Sequence, residues 1–223
     1  MHRSAWLVSL GALVLAAAGC SQPTAPPAVR YYLRSGHELA QVRRAVLIQL
    51  DDGREHPQLA REMSLALAQA VQDNEGFTVQ VVRREDPICI GLPLAKPEGL
   101  SLEDLEALQE RLQCDAILYG RLKHFRGYPR MRMGLLLNLV DLRGGELLWQ
   151  VSHIWDSTSE QTRQRLQWFY QQVQPDGKGP GDWEMALMSP RAYAKFVAWD
   201  AARTLRQRRR GGQVAPAAMA RGE

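Results

Sequence analysis

The stretch that decides the fold runs from Asp115 to Trp149 and reads DAILYGRLKHFRGYPRMRMGLLLNLVDLRGGELLW. It contains an apolar run over Asp115–Phe125 and a second over Met131–Leu142. Apolar runs of this kind, bounded by Gly and Pro, are typical of strands. The step Gly144-Gly145 separates the second run from a third, Glu146–Trp155, and a Gly-Gly step between apolar runs is typical of a tight hairpin. The sequence therefore predicts three consecutive strands.

Two strands and two helices are predicted upstream of this stretch. Ala45–Leu50 and Phe77–Val82 are short runs rich in β-branched residues, as expected for strands. Between them, apolar residues recur at helical spacing from Pro57 to Asn74, and Gly76 ends the pattern. Ser101 and Asp104 have the spacing of a capping box, which marks the start of the second helix. The apolar stripe of that helix is predicted to comprise Leu102, Leu105, Leu108 and Leu112.

The C-terminal third is predicted to be helical. Ser157–Gln174 is polar, with a few apolar residues on one side, and fits a helix lying over the sheet. Ser189 and Pro190 supply an N-cap and a first-turn proline for a last helix. The predicted fold is thus α/β, of the two-layer α+β type: a mixed β-α-β-α-β-β-β sheet with helices packed on it, plus C-terminal helices. Within the first strand of the deciding stretch, Gly120 is expected to allow a close approach or a bulge.

Composition excludes several classes of protein. The chain has 223 residues, of which 45% are hydrophobic and 23% charged, so neither disorder nor a collagen-like repeat is expected. The net charge of +4 is too small over this length to indicate a nucleic-acid-binding protein. Much of the basic surplus is local and lies near the C-terminus.

The N-terminus has the pattern of a bacterial lipoprotein signal peptide. A short basic start is followed by an apolar run, Ala5–Ala18, whose 14 residues are fewer than the roughly 20 that a spanning helix needs. Ala17-Ala18-Gly19-Cys20 resembles a lipobox, which implies removal of residues 1–19 and acylation of Cys20, with palmitate among the attached chains. Residues 20–42 are then expected to form the lipidated Cys and a Pro-rich tether. By resemblance to enterobacterial sorting rules, a Ser rather than an Asp after Cys20 implies the periplasmic face of the outer membrane, with the inner membrane as the alternative.

The deciding stretch also resembles a known family. It is similar to the strand and hairpin block of envelope lipoproteins of the CsgG, LpoB and TolB N-terminal-domain superfamily, over roughly residues 42–155. The resemblance implies a domain over residues 43–156, to which a helical extension over residues 157–210 and a disordered tail over residues 211–223 are added. No long hairpin insertion of the pore-forming type is present, so a secretion channel is not expected. The matching residues are Asp115, Ala116, Leu118, Tyr119, Gly120, Val140, Asp141, Gly144 or Gly145, Leu148 and Trp149.

This resemblance implies a protein that is not an enzyme. The expected function is that of a lipid-anchored periplasmic adaptor in envelope assembly or regulation, whose partners are the membrane and an envelope protein or a second copy of itself. No cofactor is expected. No metal site is expected either, because no His lies two, three or four residues from another His. The alternative function is that of a cell-wall glycan-binding protein or hydrolase, in which Asp51 and Asp52 act together with C-terminal aromatic residues, although turn formation also explains the two carboxylates.

The remaining candidate residues concern disulfide bonding and binding. Cys89 and Cys114 could pair in an oxidising compartment, or each could be a small buried apolar residue. Tryptophans concentrate toward the C-terminus and either anchor an interface or cover the sheet. A cluster of arginines at the end of the last helix could meet anionic lipid or a protein partner, or could simply be a solvated helix end. The candidate interaction surface comprises Trp155, Trp168, Trp183, Trp199, Arg206, Arg208, Arg209 and Arg210.

Overall fold

The computed structural model describes residues 29–34, 38–53, 55–92, 100–173 and 182–206. The predicted signal peptide, Cys20, Arg208, Arg209, Arg210 and the predicted tail lie outside these residues. Among the described helices, none is both long enough and apolar enough to cross a bilayer.

A six-stranded mixed sheet forms the centre of the domain, in the order β1-β6-β5-β4-β2-β3. β2 is parallel to both β3 and β4, whereas β4, β5, β6 and β1 pair antiparallel in turn. From β2 to β6 the element order is the predicted β-α-β-α-β-β-β, so the predicted mixed sheet with helices packed on it is confirmed. The strands are β1 (Tyr31–Leu33), β2 (Arg44–Ile48), β3 (Thr78–Val82), β4 (Ala116–Arg126), β5 (Arg132–Asp141) and β6 (Leu147–Asp156).

Six α-helices accompany the sheet in the described part of the chain. The helix predicted from Pro57 begins there and ends at Gly76, which adopts the left-handed conformation with φ 75°. The capping box predicted at Ser101 is formed, since Ser101 and Asp104 each accept a hydrogen bond from the other's backbone N–H. Ser189 caps the last helix by accepting from the N–H of Ala192. The helices are α1 (Glu38–Gln41), α2 (Pro57–Glu75), α3 (Leu102–Leu112), α4 (Glu160–Gln172), α5 (Asp182–Ala186) and α6 (Pro190–Ala202).

Helices pack on both faces of the sheet, and the strand order explains why. The chain moves outward from β2 to β3 and then back past β2 to β4, so right-handed crossovers place α2 and α3 on opposite faces. On the first face, α2, α4 and α6 bury residues such as Leu47 and Leu118. On the second face, α3 buries residues such as Val46 and Ile117. Alternation along each strand therefore supplies two separate cores.

β5 is covered along most of its length, as its apolar sequence predicts. Its side chains are buried on both faces at most positions. Gly120 of β4 makes the predicted close approach, because a Cβ added there would lie 2.1 Å from the backbone oxygen of Leu136. A side chain at residue 120 would thus collide with the neighbouring strand.

The sequence analysis did not predict two short elements, and it misplaced one side chain. β1 and α1 lie within the segment predicted as a tether, yet β1 pairs with β6 and Val29 is buried in the first core. Residues 29–34 and 38–42 therefore belong to the folded domain. Leu102, predicted on the apolar stripe of α3, is 64% exposed, whereas Leu105, Leu108 and Leu112 of the same stripe are buried.

Candidate interaction surface

The C-terminal helices are fixed to the sheet by a buried carboxylate. Asp200 of α6 is fully buried, and its Oδ2 accepts hydrogen bonds from Trp155 Nε1 at 2.9 Å and from Arg165 Nε at 2.8 Å. Its Oδ1 lies 3.7 Å from Arg203 Nη1, as an ion pair without a hydrogen bond. A carboxylate in such a site is stable only if cations compensate it. Asp200 therefore joins β6, α4 and α6 at one point.

A second buried contact ties the end of α6 to β6. Trp149 Nε1 donates a hydrogen bond to Thr204 Oγ1 at 2.8 Å, and the Thr204 hydroxyl donates to the carbonyl of Ala201. Tyr193 lies on the buried face of the same helix, and its hydroxyl has no hydrogen-bond partner among the described residues. Burial raises the pKa of that hydroxyl far above its usual range, so it stays protonated. These contacts make the position of α6 on the sheet specific.

An aromatic and arginine stack lies above this buried layer. The rings of Trp168 in α4 and Trp199 in α6 are stacked, with centroids 5.4 Å apart. The guanidinium carbon of Arg203 lies 5.2 Å from the Trp168 ring centroid and 4.6 Å from that of Trp199. Such cation–π contacts hold aromatic rings in one orientation. Trp199 is only partly buried and packs against Phe169 beneath it, with centroids 5.0 Å apart.

Besides Val173 at the end of α4, three large apolar side chains are exposed on this helical layer. Trp168 is 47% exposed, Met185 69% and Met188 82%. They lie on α4, on α5 and just after α5, and these helices contact each other and α6. We call Trp168, Met185 and Met188 the C-terminal apolar surface. Large exposed apolar side chains with polar surroundings are typical of interaction sites.

The predicted interaction residues fall into different environments. The prediction that Trp155 belongs to the interaction surface is wrong, because Trp155 is fully buried and donates its N–H to Asp200. Trp183 is partly buried against the first core. Arg206 is exposed and donates a hydrogen bond to the carbonyl of Asp73, at the end of α2. Of the predicted tryptophans, Trp168 alone is more than a third exposed in the described part of the chain.

The two cysteines of the domain are free and buried in the second core. Burial raises the pKa of the Cys114 thiol to about 12, and burial also raises the pKa of Cys89. Thiols with raised pKa values are poor nucleophiles. In the structure, Cys89 and Cys114 thus occupy the environment of small apolar residues and form no disulfide.

Asp51 and Asp52 build the turn between β2 and α2. Asp51 Oδ1 accepts a hydrogen bond from the N–H of Gly53 at 3.0 Å, and its Oδ2 lies 3.4 Å from Arg121 Nε. Asp52 Oδ2 accepts from the N–H of His56 at 2.6 Å, just before α2 begins. These contacts favour the turn interpretation over an acid–base pair. No group of three or more His, Cys, Asp or Glu in the described ranges could hold a metal ion.

Sequence reasoning missed Asp200, although a signal for it was present. Asp200 lies four residues after Phe196 and three after Val197, within the apolar stripe of the last helix. A charged residue on a buried stripe requires a partner of opposite charge. The partner, Arg165, lies in a different helix 35 residues away, so its identity was not evident from the pattern.

Comparisons with known proteins find resemblance in structure only. No family of known sequences matches the chain, and no curated protein matches. Among solved structures, the PelC dodecamer from Paraburkholderia phytofirmans is similar over 60% of this chain and 85% of its own, with 14% identity and a TM-score of 0.42. Lipoprotein GNA1162 from Neisseria meningitidis is similar over 50% of this chain and 78% of its own, with 15% identity and a TM-score of 0.35. The C-terminal domain of LpoB from Salmonella enterica covers 51% of this chain and 82% of its own, with 17% identity and a TM-score of 0.32.

Proposed function

We propose that this protein is a lipid-anchored adaptor of the bacterial cell envelope that works through protein–protein contacts and catalyses no reaction. Acylation of Cys20 anchors it to the periplasmic face of the outer membrane. The C-terminal apolar surface receives the partner, which is another envelope protein or a second copy of this chain. The lipobox supports the anchor, and the exposed stack on α4 supports the contact surface.

The observation that carries the adaptor function is the state of Trp168. Its ring is 47% exposed, yet it is fixed by Trp199 on one side and by the guanidinium of Arg203. Interface hot spots are enriched in Trp and Arg, and an aromatic ring that is already oriented loses little conformational entropy on binding. The Asp200 ion pairs with Arg165 and Arg203 hold the platform beneath the ring.

Cross-linking in intact cells tests the contact surface. Trp168→Ser combined with Met188→Ser should reduce the yield of the cross-linked complex by about 30-fold, which corresponds to about 2 kcal/mol for a hot spot. Leu65→Ser is the matched control, since Leu65 is 54% exposed on α2 and lies outside the surface. Equal yields from the two variants would contradict the proposed surface, and recovery of monomer alone from the wild type would contradict the adaptor role.

Membrane fractionation tests the anchor separately. Cys20→Ala, in a chain whose residues 1–19 are replaced by a signal peptide that is cleaved without lipidation, should move the protein from the membrane to the soluble periplasmic fraction after a wash at about 1 M salt, where the Debye length falls to about 3 Å and peripheral electrostatic binding is lost. A Cys20→Ala protein that stays with washed membranes would show that acylation is not the anchor. Separation of the two membranes by density then distinguishes outer from inner membrane.

A further inference from the structure

The end of the β4–β5 hairpin is strongly basic. Residues 121–132, RLKHFRGYPRMR, contain five Lys or Arg and no Asp or Glu. The two outer cations are paired, Arg121 with Asp51 and Arg132 with Asp156. The three between them are Lys123, Arg126 and Arg130; all three are exposed, and none forms a salt bridge within the described ranges, although the charge of Arg130 contributes to the lowered pKa of Asp156.

An aromatic residue lies at the turn, between two of these cations. Tyr128 is 84% exposed, the highest value among the large apolar side chains of the described chain. The hairpin behind it is firmly attached, because Met131 is buried and its carbonyl accepts a hydrogen bond from the N–H of Ser157. Phe125 also contacts the ring of His56, with centroids 4.8 Å apart. The hairpin end therefore presents Tyr128, Arg126 and Arg130 outward from a fixed base.

Acidic residues are present at this end but lie behind the turn. Asp51 and Asp156 are occupied by Arg121 and Arg132. Asp52 and Glu55 belong to the turn that leads into α2, where Asp52 is bound by the N–H of His56. The uncompensated positive charge is thus concentrated at the outermost residues of the hairpin.

The topology directs the N-terminal segment toward this same end of the sheet. β1 runs antiparallel to β6, with Tyr31 opposite Val151, and the carbonyl of Arg30 accepts a hydrogen bond from the N–H of Ser152. β6 continues from Ser152 to Asp156, which is paired with Arg132 at the base of the hairpin end. Residues 29 and 30, which precede β1, therefore lie toward the hairpin side of the sheet.

The reach of that segment is short. Eight residues lie between Cys20 and Val29, so the nine steps from one Cα to the other span at most about 30 Å when fully extended. A domain anchored at Cys20 consequently holds the hairpin end close to the bilayer surface. Arg30, exposed at the start of β1, adds a further cation on this side.

We propose that the β4–β5 hairpin end is a membrane-docking surface for anionic phospholipid headgroups, which orients the anchored domain on the bilayer. Lys123, Arg126 and Arg130 bind the headgroup phosphates, and Tyr128 inserts its ring at the interface, where Tyr is enriched in membrane proteins. Each basic residue near an anionic surface strengthens binding on the order of fivefold. The orienting role rests on the proposed lipid anchor, whereas the headgroup binding does not.

Vesicle binding by the full chain with Cys20→Ala tests the docking surface without the acyl anchor. This protein should bind vesicles of phosphatidylcholine and phosphatidylglycerol more tightly than vesicles of phosphatidylcholine alone, and the difference should shrink as salt is added. The apolar N-terminal run is common to all variants and acts on both kinds of vesicle. The difference between the two vesicles therefore isolates the contribution of charge.

Two charge-matched triple variants locate that contribution. Lys123→Gln/Arg126→Gln/Arg130→Gln should weaken binding to the anionic vesicles by about 100-fold. Arg43→Gln/Arg44→Gln/Arg206→Gln removes the same charge and should leave binding unchanged. Arg43 and Arg44 lie at the start of β2, at the opposite end of the sheet, and Arg206 reaches the end of α2 on that side.

The outcomes separate docking from its alternatives. Equal weakening by both triples would show attraction by net charge alone and overturn the docking surface. No binding of the folded Cys20→Ala protein to anionic vesicles would overturn lipid docking. Tyr128→Ser should remove a part of the binding that salt does not affect, and a purely salt-dependent loss would contradict ring insertion. None of these results depends on whether Cys20 is acylated in cells.

Discussion

Asp200 is the residue on which the C-terminal layer depends. It is a fully buried carboxylate that receives Trp155 from the sheet and Arg165 from α4. Arg165 is itself only 16% exposed, so removal of the negative charge leaves a largely desolvated guanidinium without compensation. Substitution of Asp200 alone therefore tests the contribution of this network to stability.

Asp200→Asn should lower the free energy of unfolding by about 3 kcal/mol, since one member of a buried pair is lost while its partner stays. Urea unfolding measures the change. Glu146→Gln is the control, because Glu146 pairs with Arg34 at 2.8 Å on the surface, and loss of an exposed pair costs less than about 1 kcal/mol. Equal losses in the two variants would show that the Asp200 network is no more important than a surface pair.

His153 should make stability depend on pH. Burial and the nearby charge of Arg165 lower its pKa below the usual value of 6.5. The unfolded chain therefore binds the proton first as the pH falls, so stability is present above about pH 6.5 and is lost below it, until the folded-state pKa is reached. The ring of His153 is in edge contact with Trp155, so replacing His153 also changes packing. That packing contribution to the free energy of unfolding does not vary with pH.

His153→Gln should flatten this dependence. Between about pH 7 and about pH 5, the variant should lose less unfolding free energy than the wild type. Urea unfolding at several pH values measures the two slopes. Parallel curves, offset by a constant, would mean that His153 titrates alike in the folded and unfolded states.

At the scale of elements, the β4–β5 pairing requires a glycine. A Cβ at residue 120 would lie 2.1 Å from the Leu136 oxygen and 2.9 Å from Leu137 Cδ2. The nearer atom belongs to the backbone of a central strand and cannot move without breaking the ladder. The expected close approach at Gly120 is therefore a condition for the sheet.

Gly120→Ala should destabilise the fold by about 2 kcal/mol or more through overpacking. Gly144→Ala in the β5–β6 turn is the matched control, since the nearest atom to its added Cβ lies 3.5 Å away, an ordinary contact. That control should change stability by less than about 0.5 kcal/mol. Thermal unfolding of both proteins provides the comparison, and similar melting temperatures would argue against the close approach.

At the scale of the whole molecule, β1 connects the N-terminal segment to the sheet. The N–H of Arg34 donates to the carbonyl of Leu148, and the N–H of Ser152 donates to the carbonyl of Arg30. In an antiparallel ladder, hydrogen-bonded pairs recur at every second residue. Tyr32 lies midway between Arg30 and Arg34, so its N–H also points toward β6. This short strand holds residues 29–34 against the edge of the sheet.

Tyr32→Pro should release β1, because proline has no N–H to donate to β6. Tyr32→Ala is the control, since it removes the same side chain and keeps the N–H. Limited proteolysis should cut the proline variant near residues 29–34 faster than the alanine variant, and stability should fall by about 1 kcal/mol more. Equal cleavage rates would mean that this ladder does not hold the segment.

The sequence predicts the regular elements well, for a physical reason. Apolar spacing, the Ser101 capping box and the stop at Gly76 depend on neighbours within a few residues, so the pattern records them directly. The predicted helix over residues 57–74 is observed as Pro57–Glu75. The sequence pattern predicts the exposure of single side chains less well, as Leu102 shows, because exposure depends on which other elements cover the residue.

Five of the six strands, the main helices and the β-α-β-α-β-β-β order could thus be predicted from the sequence, since these arise from local propensity and periodicity. Three features became evident only in the folded domain: Trp155 is buried against Asp200, β1 joins an edge more than a hundred residues away in sequence, and the N-terminal end of β1 and the basic hairpin share one end of the sheet. These features depend on contacts between distant segments, and they form because burial of apolar surface and compensation of buried charge are properties of the packed chain.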